Sequence, residues 1–170
     1  MIPVLKRIFS TGILTEPPVD TGDEMKREVE RLGDEVLAIL GRALTIREVD
    51  AGSCNACELE IHALNNPYYN IEGRGIKFVA SPRHADMLLV TGPVTKNMEN
   101  AVKIAYDCTP DPKLVVAVGD CGCTGGVFGE SYASCGRVSN VIPVDVAVPG
   151  CPPTPVALMQ GILTAVKRQR

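Results

Sequence analysis

The chain has 170 residues, 45% of them hydrophobic but only 4% aromatic, which suits one domain with a core of Val, Ile, Leu and Ala. A formal net charge of −3, with no Lys/Arg cluster, argues against a nucleic-acid surface. No apolar run approaches the roughly 20 residues of a membrane-spanning helix. The N-terminus also lacks an export pattern, so the chain is expected in the cytoplasm, meeting a membrane only through partners.

Residues 1–22 read as an extended N-terminal arm, because Pro17-Pro18 excludes a helix there. Its Ile2, Val4, Leu5, Ile8, Phe9, Ile13 and Leu14 have no evident place in a core, so the arm either frays or lies on a partner. Residues 23–170 read as a single α/β domain. Thr21-Gly22-Asp23-Glu24 has the form of a capping box. A helix from about Asp23 to Leu40 follows, with Met25, Val29, Leu32, Val36 and Ile39/Leu40 on one face, Glu28, Glu30, Arg31 and Glu35 facing water, and Gly41 as its stop.

Leu44–Val49 is a strand, and a helix opening near Asn55 should end by Asn66-Pro67. Ile76–Ala80 and Met87–Thr91 are further strands. Asn97–Asp107 reads as an amphipathic helix with Met98, Ala101, Val102 and Ala105 inward. Leu114–Val118 and Val144–Val148 are continuous apolar runs of the kind buried in parallel sheets. A last helix spans about Thr154 to Lys167, its basic end favoured by the macrodipole. This alternation predicts an α/β fold with a mostly parallel sheet flanked by helices. Residues 121–142 read as a long Gly/Ser-rich loop without an element of its own, and such loops are usually functional.

Seven cysteines are too many, and odd in number, for a disulfide framework in a reducing compartment. Their positions favour metal. Three β-rich runs each break at cysteine: Gly52-Ser53-Cys54-Asn55-Ala56-Cys57, Gly119-Asp120-Cys121-Gly122 and Pro149-Gly150-Cys151-Pro152-Pro153. Ligands of parallel α/β sheets collect beyond the carboxyl ends of strands, so thiolates from these loops can converge on one iron–sulfur cluster, which takes four cysteines. Cys54 and Cys57 sit at a strand-to-helix junction, where backbone N–H groups favour thiolate. Cys-Pro recurs at cluster ligands, which points to Cys151. The fourth ligand is Cys121 or Cys123, and spacing alone favours neither. A zinc site or a redox dithiol is the alternative of another class, but zinc usually pairs two C-x-x-C knuckles and only one is present. Cys108 reads as a buried or half-buried thiol, and Cys135 as a packing residue of the long loop.

These motifs resemble the small, cluster-bearing subunit shared by energy-converting membrane-bound [NiFe] hydrogenases, such as formate hydrogenlyase, and respiratory complex I. The resemblance spans about residues 44–165. It adds Ser81-Pro82-Arg83-His84-Ala85-Asp86, Thr91-Gly92-Pro93-Val94-Thr95 and Ile142-Pro143-Val144-Asp145 to the cysteine motifs. It implies a flavodoxin-like fold and one [4Fe–4S] cluster on Cys54, Cys57, Cys121 and Cys151, at the carboxyl ends of the strands. It also implies electron relay between a ferredoxin-like iron–sulfur subunit and a large nickel–iron catalytic subunit, with a membrane arm reached through partners. Complex I members usually carry adjacent cysteines where this chain has C-x-x-C, which tilts the reading towards the hydrogenases. A complex I-like quinone- or sulfur-reducing complex is the alternative. Glu58 and Glu60 either tune the site or are solvated helix residues. Arg83 is expected near the cluster or subunit interface, or else in a salt bridge with Asp86. His62 is expected at the helix surface or an interface.

Overall fold

The computed structural model describes Ser10 and residues 22–168. Apart from Ser10 and Gly22 the expected arm lies outside the described residues, as do Thr21 and the side chains of Met25, Glu28 and Val29. In chain order the main elements are α1 (Gly22–Leu40), β1 (Leu44–Asp50), α2 (Ala56–Ala63), β2 (Ile76–Phe78), β3 (Met87–Thr91), α3 (Glu99–Cys108), β4 (Leu114–Val118), α4 (Gly119–Thr124), β5 (Val146–Val148) and α5 (Pro155–Arg168). The strands form one sheet in the order β2-β1-β3-β4-β5, and every pairing is parallel. That is the flavodoxin-like order, in which the chain changes direction across the sheet between β1 and β3 and ligands bind beyond the carboxyl ends there.

Register divides the apolar residues between two faces, because neighbouring strands keep matched positions on the same side. Ile46, Met87 and Leu114 align across β1, β3 and β4. With Leu44, Leu89 and Val116 they pack against Leu32 and Val36 of α1, Ile61 of α2, and Leu158 and Ile162 of α5. The other face carries Val49, Leu88, Val90, Val115 and Ala117, covered by Val102 of α3 and by Val138 and Ile142. Both β3 and β4 are buried throughout, as continuous apolar strands between two layers should be.

Where the structure departs from expectation, local chemistry explains it. The segment expected as a strand from Val144 starts only at Val146, because Asp145 substitutes for a ladder residue: its Oδ2 accepts from Val115 N at 2.7 Å, while its own N–H donates to Val115 O at 2.9 Å. Only Val148 of β5 is fully buried, since β5 is a sheet edge. In α3, Ala101 faces outward and the inner stripe is Val102, Ala105 and Tyr106. The segment expected to be a bare loop opens with helix α4 and includes a short 3-10 turn at Val138–Asn140. Glycines at 119 and 122 mask that helix in the sequence. Asp86 does not pair with Arg83. It takes a bidentate pair from Arg42 (2.9 and 2.7 Å) and accepts from the Thr45 hydroxyl (2.7 Å) and N–H (3.0 Å).

Candidate functional site

The loop after β1 is braced by its own side chains. Asp50 Oδ1 accepts from the N–H groups of Gly52 (2.7 Å) and Ser53 (2.8 Å), and Ser53 Oγ accepts from Asn55 N at 3.1 Å. Asn55 then turns left-handed (φ 73°) to start α2, leaving Cys54 exposed on the loop and Cys57 buried one turn on. On the same helix Glu58 is also buried, and Ser53 Oγ donates to its Oε1.

The second approach comes from β4, which runs into α4 without a loop. Gly119 makes the turn at φ 80°, and a methyl group added there would lie 2.6 Å from Cys57 Sγ and 3.4 Å from the Gly150 carbonyl oxygen. The absent side chain thus leaves the space in which Cys57 approaches the end of β4. A methyl group at Gly126 would likewise lie 2.8 Å from Cys121 Sγ. Asp120 ties α4 to the loop after β5: its N–H donates to Gly150 O at 2.9 Å, and its Oδ1 accepts from Gly150 N at 2.8 Å. That bond pair brings Cys121 and Cys151 to one rim.

Helix geometry separates Cys121 from Cys123. Two residues advance about 200° around a helix, so the two thiols point to opposite sides of α4. Cys123 turns away from the rim, donates to Ala117 O at 3.6 Å and packs against the second core layer. Cys121 is half-buried and its thiol is pushed up by burial, then by Cys151 and Cys54. Burial pushes Cys57 up to about 12, followed by Glu58, Cys54, Cys121 and Cys151. Cys57 and Cys121 therefore lie within electrostatic reach of each other, and each of Cys54 and Cys151. Cys108 ends α3, and Cys135 contacts the Glu99 carboxylate at 3.3 Å. Neither faces this group.

Among the described residues, no three His, Cys, Asp or Glu side chains close on a point as ligands of a single ion do. A polynuclear cluster asks for something else, one thiolate per iron spread around its body. Four thiols gathered beyond the strand ends have the donor chemistry for it.

The other expected residues lie elsewhere. Glu60, half-buried on α2, faces Tyr69 rather than the cysteines. Arg83 is exposed on a 3-10 turn leading into the amino end of β3, whereas the cysteines follow carboxyl ends. His62 is on the surface of α2, 3.9 Å from Glu48. Sequence reasoning missed Asp120, although an acid directly before a cysteine at a strand end is the signal that marks it. It also missed Glu48, legible as a carboxylate continuing the alternation of Leu44 and Ile46.

Among the described residues no helix is long and apolar enough to cross a membrane. Comparison with known proteins gives a consistent answer. The chain is 44% identical over 148 residues to a probable membrane-bound hydrogenase subunit of Pyrococcus furiosus, covering 87% of this chain and 89% of that one. It is 44% identical to formate hydrogenlyase subunit 7 of Escherichia coli over 131 residues, 77% of this chain but only 51% of the relative. It is 43% identical to an NADH-quinone oxidoreductase subunit of Desulfovibrio desulfuricans, covering 72% and 66%. A solved structure of the membrane-bound sulfane sulfur reductase, an archaeal respiratory membrane complex, superposes with a TM-score of 0.65 at 34% identity, covering 78% of this chain and 75% of that one. These relatives are subunits of oxidoreductase complexes. The family model described as the NADH ubiquinone oxidoreductase 20 kDa subunit matches residues 54–165, from the first cysteine loop into α5, and the chain belongs to that family.

Proposed function

We propose that the chain is the electron-relay subunit of a membrane-associated [NiFe] hydrogenase complex, with one [4Fe–4S] cluster held by Cys54, Cys57, Cys121 and Cys151. The observation that carries this reading is the gathering of these thiols at the carboxyl ends of β1, β4 and β5, with Cys57 and Cys121 each in reach of the other three. Bound there, the cluster supplies a one-electron couple. Everything else is the work of this chain. Asp120 and Gly150 lock two of the ligand loops together, Asp50 braces the third, and the bare Cα of Gly119 leaves Cys57 its place. Electrons would pass between a ferredoxin-like subunit and the nickel–iron site of a large subunit, on the cytoplasmic side of the membrane.

Partner contact is supported by exposed apolar side chains near the cysteines. Leu59 is two residues from Cys57, and Val127 and Phe128 follow Gly126, which abuts Cys121. Val127 is 94% exposed. The likeness to NADH-quinone and sulfane sulfur reductase subunits favours a second reading, a complex I-like assembly whose large subunit lacks nickel.

The test is anaerobic purification with co-purifying subunits, followed by metal analysis. About four irons per chain are expected, lost in Cys121→Ser and kept in Cys123→Ser. A colourless, zinc-bearing protein would end the relay reading, and the opposite response of the two variants would overturn the ligand set. Nickel in the co-purifying large subunit separates the hydrogenase from the complex I-like assembly.

A further inference from the structure

The outer side of α2 holds an acidic cavity that the cysteine site does not use. Glu48 lies in β1 on the face that carries Leu44 and Ile46, and its register partner in β3 is the fully buried Leu89. A carboxylate there gives up much of its hydration. Its Oε1 is buried with no hydrogen-bond partner, and among the described residues no Lys or Arg forms an ion pair with it. Such an atom in a native core calls for an explanation.

Glu48, Ile61, His62, Asn65 and Phe78 line a cavity of about 260 Å³, with buried Ile61 among its walls and the exposed residues His62 and Asn65 at its mouth. His62 does not close it. Its Nε2 stays 3.9 Å from Glu48 Oε2, beyond hydrogen-bond length, and its side chain is 73% exposed. The space is smaller than the roughly 300–1,000 Å³ of small-molecule sites, which suits one inserted side chain rather than a free ligand. Charge decides which side chain. Burial pushes the Glu48 carboxyl up; His62 and Arg47 oppose that push, while Glu58 and Asp50 add to it. Leu59 stands three residues before His62 on α2, on the same side of the helix, and it is strongly exposed. The mouth of an acidic cavity therefore adjoins an apolar contact.

We propose that this cavity receives an arginine side chain from a partner subunit of the complex, its guanidinium pairing with Glu48 while Leu59 packs on the same subunit. The inference deepens the electron-relay reading and rests on it for the existence of that subunit. Arginine fits because its planar fork meets a carboxylate with two donors and stacks on an aromatic ring such as Phe78. A lysine would bring a compact, strongly hydrated charge, which is harder to strip of water. An arginine anchored in a desolvated pocket and sheltered by apolar contact is also a common form of interface hot spot.

The experiment uses the anaerobically purified complex, captured on a tagged copy of this chain. Retention of the other subunits is measured against rising salt, with iron content recorded alongside. Separately, a photocrosslinking amino acid is placed at position 62 and the captured peptide is identified by mass spectrometry. Glu48→Leu continues the apolar face and so keeps the fold, and Glu48→Lys reverses the charge. Each should weaken association by about 30-fold or more, because the arriving arginine is left buried without its acid. Iron per chain should not change in either. The captured peptide should contain an arginine, and replacing that arginine by glutamate should restore association to Glu48→Lys. Wild-type retention in Glu48→Leu overturns the proposal and leaves the relay reading standing. So does the absence of a captured peptide, a peptide without arginine, or one from residues 1–21 of this chain. A wild-type complex without iron removes the relay reading instead, and retention and crosslinking in that same preparation still decide the docking.

Discussion

Replacing Gly119 by alanine is the sharpest probe of how the cysteine rim is built. Two costs arise. At φ 80° an alanine pays the left-handed penalty, about 1–2 kcal/mol, partly offset by the roughly 0.4–1 kcal/mol that a less flexible unfolded chain returns. Its methyl group would also stand 2.6 Å from Cys57 Sγ, far inside contact distance, with the Gly150 carbonyl 3.4 Å away on another side. Overpacking of that kind costs about 1–3 kcal/mol. Gly41 gives the matched control, since it has a similar φ of 63° at the end of α1 but nothing within 4 Å of the added methyl. Gly41→Ala should therefore lose about 1 kcal/mol or less, and Gly119→Ala about 2–4 kcal/mol. Urea unfolding of both variants measures the difference, and iron content after anaerobic purification should fall only in Gly119→Ala. If the two variants unfold alike and bind iron alike, the cradle at Cys57 does not exist as described.

Two further outcomes follow from packing and charge. A methyl group at Gly161 of α5 would lie 2.2 Å from Val148 Cγ2, so Gly161→Ala should cost about 1–3 kcal/mol in urea unfolding; in a Val148→Ala background, which vacates that space, the added loss should shrink, and simple additivity would refute the contact. Burial pushes the Asp86 carboxyl up, but hydrogen bonds from Arg42 and Thr45 outweigh it and hold it below the usual range. Its stabilising contribution is thus complete above the unfolded carboxylate value and is lost as pH falls through the lower folded one. Stability measured against pH should lose part of its acid limb in Asp86→Asn; an unchanged limb would show that the Arg42 pair does not matter.

Much of the architecture was legible because buried strands leave a plain trace. Met87–Thr91 read as a strand and Leu114–Val118 as a continuous apolar run, and both strands have those bounds. The cysteine breaks were equally plain, since each falls where such a run stops. What escaped the sequence depends on pairs far apart in the chain. Nothing in Asp120 announces that it bonds Gly150, and nothing in Asp86 announces Arg42 rather than the nearby Arg83. Helix α4 was missed because two of its six residues are glycines, which depress helix propensity, while tertiary ties hold the turn in place. The alternatives at Cys121 and Cys123 could not be separated by spacing, and the helix resolves their directions because alternate residues on it diverge.

On the relay reading proposed above, the paired bonds between Asp120 and Gly150 bear on speed as well as shape. Electron hops are slowed by every atom that must shift when charge arrives, and a floppy loop shifts more than a clamped one. Stitching the exit of β5 onto the first turn of α4 leaves Cys121 and Cys151 little independent travel. If the chain relays electrons as proposed, such a clamp would keep the nuclear motion accompanying each hop small.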